Sequence, residues 1–491
     1  MKKHNIFKVV LITLLVMVLL TWLFPVGTIS TTGYSEQGRA QIGLFDLVNN
    51  TLAALSYFGN IVIYILIVGG FYGILSKIPA YRVVLDKLVT KFKGKEKVVL
   101  SIIMVLLAVL TSVGGIQLGL VVFFPMLIAL ILLMGYDKVV AALTVVGSTM
   151  IGIAGTTFGY SNINVIMQAL NISKITSEIL AKIVILVLGL VLLIFNTLMY
   201  IKKQENKTTK KATKAASKIK KEVVAKVDEI EGFVPEKVSA RKKVSSWPVI
   251  TVLSVLFIIV VLSLVSWSGA FKITVFEKAT EAVTKFELFK FPLFAKILGT
   301  FNPFGTWTIN DLNIVIVLFT LLLAFIYKME TDEVIDAFVA GAKKALAPAF
   351  IVFLIYVCFV CTLSLYQPFQ ASFNIFMYNG LLSLTKEFNI FTGTLVAILA
   401  SVFNVEPSYT FQSALVVLPT IIKSTSDYSI VAVVFQSVYG LTMLVAPTSV
   451  ILMGTLTYLE IPYTKWLKTV WKLVLELLAV LLVVFIILAL V

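Results

Sequence analysis

The chain has 491 residues, of which 59% are hydrophobic and 13% charged, and its mean hydropathy is +1.02. That balance supplies far more apolar runs of spanning length than a soluble core of this size uses, so the chain reads as an integral helical membrane protein. The net charge of +16 does not point to nucleic acid, because Lys and Arg crowd into loops beside apolar segments, where they set orientation. No nucleophile–base pairing, P-loop or dinucleotide fingerprint is visible, which argues against an enzyme and against an ATP-driven pump.

An apolar run from Ile6 to Pro25 follows the basic start Met1-Lys2-Lys3-His4. The start resembles a signal sequence, yet Leu23-Phe24-Pro25-Val26 offers no small-residue cleavage site, so this helix is expected to be retained. His4 is the only histidine, which removes a His-based proton relay or metal cluster. Leu52 to Ser76 is the return span. Lys77 to Lys97, with seven Lys/Arg against two acids, is then cytoplasmic by the positive-inside rule, as is the N-terminus. Two apolar arms, Val98 to Ser112 and Leu120 to Leu133, flank the glycine-rich tip 113–119. Arms of about 15 residues are short for a hydrocarbon core of about 30 Å at 1.5 Å per residue, so they read as a re-entrant hairpin, the alternative being two full spans. The next run, from Val139, breaks at 155–162. Ile179 to Ile201 then leads into the Lys/Ala-rich stretch Lys202 to Ser246, with 14 Lys/Arg against 6 acids. The segment 203–246 reads as a solvated cytoplasmic linker whose basic residues can also hold anionic lipid.

Trp247 to Trp267 is an extra outward helix, and the rest of 247–310, with five lysines and three glutamates after Trp267, is expected outside. Asp311 to Tyr327 runs inward, with Asp311 a helix-start acid. Leu346 to Leu365 runs outward and carries Cys358 and Cys361; two ligands are too few for a structural zinc, so this CxxC reads as two small packing residues. Arms Phe391 to Phe403 and Phe411 to Ile422 flank the second tip, 404–410. Ile430 to Ala446 breaks at 446–449, and Leu467 to Val491 is the last span. The threading predicts an all-α polytopic membrane protein of about nine spans, with two re-entrant hairpins and two broken helices. In it 1–202 and 311–491 are inverted repeats.

Backbone that leaves the helix at bilayer depth is tolerated only inside protein or beside a water-filled cavity, so four breaks predict a solute site. The candidate residues are Gly114, Gly115 and Gln117 at the first tip and Thr156, Thr157 and Asn162 at the first break. The second tip adds Asn404, Glu406, Ser408 and Gln412, and the second break adds Gln436, Thr448 and Ser449. Helix N-termini restarting after Gly155, Pro407 and Pro447 would aim N–H groups and positive dipole ends at a carboxylate. Hydroxyls and amides would complete the shell, and free carbonyls would suit Na⁺ as a coupling ion. Taken singly, each small polar residue reads as helix packing. Glu406 stands apart, because an acid at membrane depth costs on the order of 3 kcal/mol and usually marks a cavity or pathway; at an aqueous rim it would simply be solvated. Glu476 has Lys472 one turn away and reads as an ion pair.

Residues 435–449 (Phe-Gln-Ser-Val-Tyr-Gly-Leu-Thr-Met-Leu-Val-Ala-Pro-Thr-Ser), followed by Ile461-Pro462-Tyr463-Thr464-Lys465-Trp466, resemble the C-terminal signature of the C4-dicarboxylate anaerobic carrier (DcuC/YfcC-like) family of the ion transporter superfamily. Pro407-Ser408 with Gln412 and Pro419 is similar to that family's second hairpin. Pro125, Gly135-Tyr136-Asp137 and Gly155-Thr156-Thr157 are similar at matching places in the first half. The resemblance implies two inverted repeats in which a transport domain moves against a scaffold. Two departures bear on substrate choice. Many relatives carry an acidic pair where this chain has Gln117-Leu118-Gly119-Leu120, and relatives often read Pro-Ser-Gly-Ser-Gly where it has Glu406-Pro407-Ser408-Tyr409-Thr410.

These features predict a secondary active transporter in the cell membrane for a small carboxylate-bearing solute, with no cofactor beyond Na⁺ or H⁺ as coupling ion. Dipole ends for a carboxylate plus Glu406 for a cationic group suit an amino acid, with a basic one in exchange mode as one form, and some relatives are amino-acid antiporters. The alternative is a Na⁺- or H⁺-coupled C4-dicarboxylate carrier in which Glu406 holds the coupling cation. The alternative from another class is a channel or membrane-embedded assembly factor without coupled transport, although a channel has no need of two inverted half-sites with broken helices. Membrane lipid is an expected partner, nucleic acid is not, and a homodimer is an open arrangement.

Overall fold

A computed structural model describes residues 5–30, 33–159, 164, 178–212, 232–235, 244–299, 301–363, 371–385, 388–415, 417–418, 422 and 425–490. The first half comprises α1 (Asn5–Leu23), β1 (Val26–Ser30), β2 (Gly33–Gln37), α2 (Leu44–Lys77), α3 (Pro79–Lys91) and α4 (Glu96–Gly114). A 3-10 turn at Leu118–Phe123 leads into α5 (Phe124–Leu133), followed by α6 (Lys138–Ala154) and α7 (Ile179–Ala212). Then come α8 (Trp247–Leu264) and three short helices, α9 (Trp267–Phe271), α10 (Val275–Lys285) and α11 (Leu293–Leu298). The second half comprises α12 (Ile309–Ile326), α13 (Thr331–Thr362), β3 (Ala371–Ser372), α14 (Phe373–Leu382), α15 (Ile390–Phe403) and α16 (Pro407–Leu415). It closes with α17 (Thr425–Met443), α18 (Val450–Tyr458) and α19 (Tyr463–Leu490).

Local chemistry sets the helix ends. Asp137 caps α6 by accepting from Val140 N at 2.9 Å, and Asp311 accepts from Thr308 N at 2.7 Å at the start of α12. Gly115, at φ +71°, closes α4 in the left-handed region that a residue without Cβ adopts most readily.

Among the described residues, eight helices are long and apolar enough to cross a membrane. Seven of them are expected spans, and the eighth is α4. Its 19 residues exceed the 15 expected for that hairpin arm, because Glu96, Lys97, Val113 and Gly114 all continue the helix. The two remaining expected spans are the broken helices, where α6 and the apolar part of α17, Tyr428–Met443, stay shorter than a span.

The interior is built from glycine-mediated crossings. α2 and α13, the most extensive helix pair among the described residues, cross at Gly69, Gly70, Gly73 and Gly341. A Cβ on Gly73 would lie 2.1 Å from the Ala337 carbonyl oxygen, and one on Gly341 would lie 2.2 Å from that of Gly69. Such close backbones gain dispersion contacts, which drive helix association where lipid removes the hydrophobic term. α1 packs on α13 and α12 packs on α2. Beside this central unit, α4, α6 and α7 pack together, and so do α15, α17 and α19. The two trios meet through α6 and α17, where a Cβ on Gly440 would lie 2.6 Å from the Met150 carbonyl oxygen.

Two features were not foreseen. β1 and β2 form an antiparallel hairpin between α1 and α2, and β3 from the second half joins its other edge. The stretch 203–246 is also not solvated throughout. α7 continues to Ala212, and 232–235 docks on the protein: the Arg82 guanidinium donates to the Pro235 carbonyl at 2.6 Å, and Phe233 packs edge-on against Tyr458 beneath the Lys138 ammonium.

Candidate functional site

The first break is sealed by the first hairpin. The Ser112 carbonyl accepts from the N–H groups of Thr157 (3.0 Å), Phe158 (3.3 Å) and Gly159 (3.0 Å), and its hydroxyl donates to the Gly155 carbonyl at 2.6 Å. Buried backbone must be paired, and here α4 supplies the partner. These N–H groups therefore do not face a solute, in contrast to the expectation for a helix restarting after Gly155. The last carbonyls of α6 are met from α17: Gln436 Nε2 donates to Ile153 O at 2.8 Å and to Thr156 Oγ1 at 3.1 Å, and Ser437 donates to Ala154 O at 2.8 Å.

The second break is sealed by α19 and the second hairpin. Trp466 Nε1 donates to Leu444 O at 2.8 Å, and the Tyr463 hydroxyl donates to Val445 O. Thr448 donates to Val402 O at 2.8 Å, tying the break to the second hairpin. The motif around Tyr463 and Trp466 thus supplies the donors that a helix end at Met443 leaves wanting.

The tips enclose a cavity of about 550 Å³. Of the residues singled out from the sequence, Gly115, Gln117, Glu406, Ser408 and Ser449 line it. Gly114 packs on Val265 instead. Asn404 is held within its hairpin, donating to Ala400 O at 2.7 Å and to Ser413 Oγ at 3.1 Å. Thr156, Thr157, Gln436 and Thr448 knit the breaks just behind the wall, and Gln412 is half-buried on α16 away from it. Asn162 lies outside the described residues.

Sequence reasoning missed the aromatic wall. Tyr57, Trp307, Tyr356, Tyr409 and Tyr439 line the cavity, with Asn60 between them. Tyr356 donates to Glu406 Oε1 at 3.4 Å, Tyr439 donates to Val405 O at 2.8 Å, and Phe58 stacks on Tyr356 at 4.3 Å. Tyrosines in apolar helices read as filler; only the packing of the second tip against α13 and α17 gives the Tyr356 and Tyr439 hydroxyls their partners. Among the lining residues Glu406 is the only Asp, Glu, Lys, Arg or His. α16 and α18 both start at the wall, with Pro407, Ser408, Ser449, Val450 and Ile451 lining it, so two helix N-termini carry unpaired-donor character and positive dipole ends there. Ser449 Oγ and Asn60 Oδ1 are buried without hydrogen-bond partners among the described residues, as are Gln436 Oε1 and Asn404 Oδ1 behind the wall.

Leu264 at the end of α8, and Trp307, Thr308 and Ile309 at the start of α12, line the cavity, which thus extends toward the face where these helix ends lie. Toward the linker face it ends on an apolar layer around a void of about 70 Å³, bounded by Val68, Val121, Pro348, Val352 and Tyr458. Tyr64 spans this layer, donating to Leu118 O at 3.1 Å.

An uncharacterised protein of Haemophilus influenzae is 25% identical over 170 residues, a stretch that covers 35% of this chain and 33% of that protein. The crystal structure of the YdaH transporter of Alcanivorax borkumensis aligns over 99% of this chain and 97% of its own, at 12% identity and a TM-score of 0.40. Neisseria gonorrhoeae MtrF, described as illuminating a class of antimetabolite efflux pumps, aligns over 98% and 94%, at 11% identity and a TM-score of 0.36. The model of the family described as C4-dicarboxylate anaerobic carrier matches residues 4–490, nearly the whole chain. With hairpin tips and broken helices around one cavity and a family match from end to end, this chain belongs to the C4-dicarboxylate anaerobic carrier family.

Proposed function

We propose that this carrier moves a small carboxylate-bearing solute across the cell membrane by alternating access, with 1–202 and 311–491 as inverted repeats, the N-terminus in the cytoplasm and the cavity as solute site. The observation that carries the reading is the convergence of the first tip and the starts of α16 and α18 on a cavity with one charged side chain, Glu406. Helix N-termini suit a carboxylate. A lone carboxylate ringed by tyrosine faces and hydroxyls suits a cationic group, since aromatic faces attract cations. Together they favour an amino acid, with a basic one in exchange mode as the sharpest form.

The family's description favours a C4-dicarboxylate. A dianion here meets Glu406 with no Lys, Arg or His among the lining residues. Like charges about 4 Å apart repel by about 4 kcal/mol at an effective dielectric of 20, so this second reading requires Na⁺ or a proton to accompany the solute. The unpartnered oxygens of Asn60 and Ser449 on the cavity wall are neutral oxygen ligands that such a cation would use.

Uptake and counterflow in proteoliposomes, comparing wild type with Glu406→Gln, separate the two. An amino-acid carrier loses at least about ten-fold in affinity for cationic or zwitterionic solutes while any Na⁺ dependence stays. A dicarboxylate carrier keeps its solute range and changes its Na⁺ or pH dependence. A variant unaltered in affinity and coupling would remove Glu406 from the site.

A further inference from the structure

The ends of α7 and α19 nearest the linker leave a second, separate groove of about 730 Å³ between them. Its rim is basic: Lys202 and Lys203 come from α7, and Lys468 from the first turns of α19. Its flank is apolar and open, with Phe195, Met199 and Trp471 exposed at 51%, 50% and 59%. None of the three rim lysines forms an ion pair among the described residues.

Among the described residues, the acids near this region are already engaged. Glu476 takes a hydrogen bond from Asn196 at 2.6 Å and pairs with Lys472 at 3.5 Å, and Glu205 pairs with Lys97 at 3.2 Å. The groove therefore keeps a net positive rim. Below it, both helices turn exposed Val187, Val191, Leu475 and Val483 outward, which is where acyl chains run in a helix of spanning length.

We propose that this groove is a binding site for an anionic phospholipid, with the phosphate among Lys202, Lys203 and Lys468 and the first acyl methylenes against Phe195, Met199 and Trp471. Basic residues at the membrane boundary attract anionic headgroups, and an aromatic ring such as that of Trp471 sits readily at headgroup level. The apolar flank distinguishes this site from one for free phosphate, which has no use for it. A lipid so placed bridges α7 and α19, one helix from each trio that holds a broken helix.

The test uses full-length protein in mixed phosphatidylglycerol and phosphatidylcholine nanodiscs, with retained lipid read by native mass spectrometry. Lys472 is left unchanged so that its pair with Glu476 survives. Wild type is expected to retain phosphatidylglycerol over phosphatidylcholine by on the order of ten-fold, and the triple variant Lys202→Gln, Lys203→Gln, Lys468→Gln to lose that preference. Inorganic phosphate should not displace the lipid. Equal retention of both lipids by wild type, unchanged preference in the variant, or displacement by phosphate would each overturn the site. Should the triple variant fail to fold, Lys468→Gln and Trp471→Ala singly should each lower the preference, and no change in either would overturn the site just as well.

Discussion

Two serines at the breaks, Ser112 on the hairpin arm α4 that seals the first and Ser449 within the second, have opposite work to do. Ser112 is fully buried and both its oxygens hold the backbone of the first break. Ser112→Ala strands the Gly155 carbonyl, which costs about 1–3 kcal/mol for a buried group left unsatisfied. The expected outcome is a lower melting temperature in detergent, with solute affinity little changed in the protein that remains folded. Ser449 is as buried, but its hydroxyl has no partner among the described residues and lines the cavity. Ser449→Ala should leave the melting temperature within error and weaken solute affinity, while Ser449→Leu should abolish uptake in folded protein. Equal melting losses in both alanine variants would show that Ser449 is structural as well.

Helices meet through glycine at α2 and α13, and that contact is testable by adding one carbon. Gly73→Ala places Cβ against the Ala337 carbonyl oxygen, and Gly341→Ala does the same toward Gly69. Backbone cannot give way as a side chain can, so each should cost about 1–3 kcal/mol. Gly380 on α14 is the control, with nothing within 4 Å of its missing Cβ. There Ala should stabilise by up to about 1 kcal/mol through helix propensity. Thermal melts of the three variants side by side decide it.

What the sequence disclosed about these elements follows their physics. Long apolar runs, the glycine tip and the Ala446-Pro447 stop are local signals, and α4, α15, α17 and α19 overlap the runs they mark, although α17 ends at Met443, short of the expected Ala446. The small sheet was missed because β1 and β2 are only five residues each and its third strand comes from residues 371–372, a pairing no local pattern announces. The same holds for the site. Glu406 is conspicuous alone in an apolar stretch, whereas Asn404, Thr156 and Gln436 are polar residues whose partners are fixed only by the packing of the hairpin arms and of α6 on α17.

At the scale of the molecule, membrane sidedness is the expectation most exposed to test. Cys358 and Cys361 are buried, free thiols, so a maleimide should read only engineered positions. A cysteine at Ser35, on β2, is expected to label from outside intact cells, and one at Ser217 only after the membrane is opened. Labelling of both from one side would undo the threading and the inverted repeats together.

The apolar layer beneath Glu406 also has an electrical meaning. A membrane voltage falls mainly across whatever separates the two aqueous phases, and in this conformation that separator is the apolar stretch that includes Val68, Val121, Pro348 and Val352. An ion that reaches Glu406 through the cavity is thus expected to cross little of the field, so that its arrival is almost electrically silent. The full value, about 2.3 kcal/mol per elementary charge per 100 mV, is felt when the dry layer changes sides around the occupied cavity. Voltage should therefore act on the rate of that rearrangement far more than on the affinity of the site.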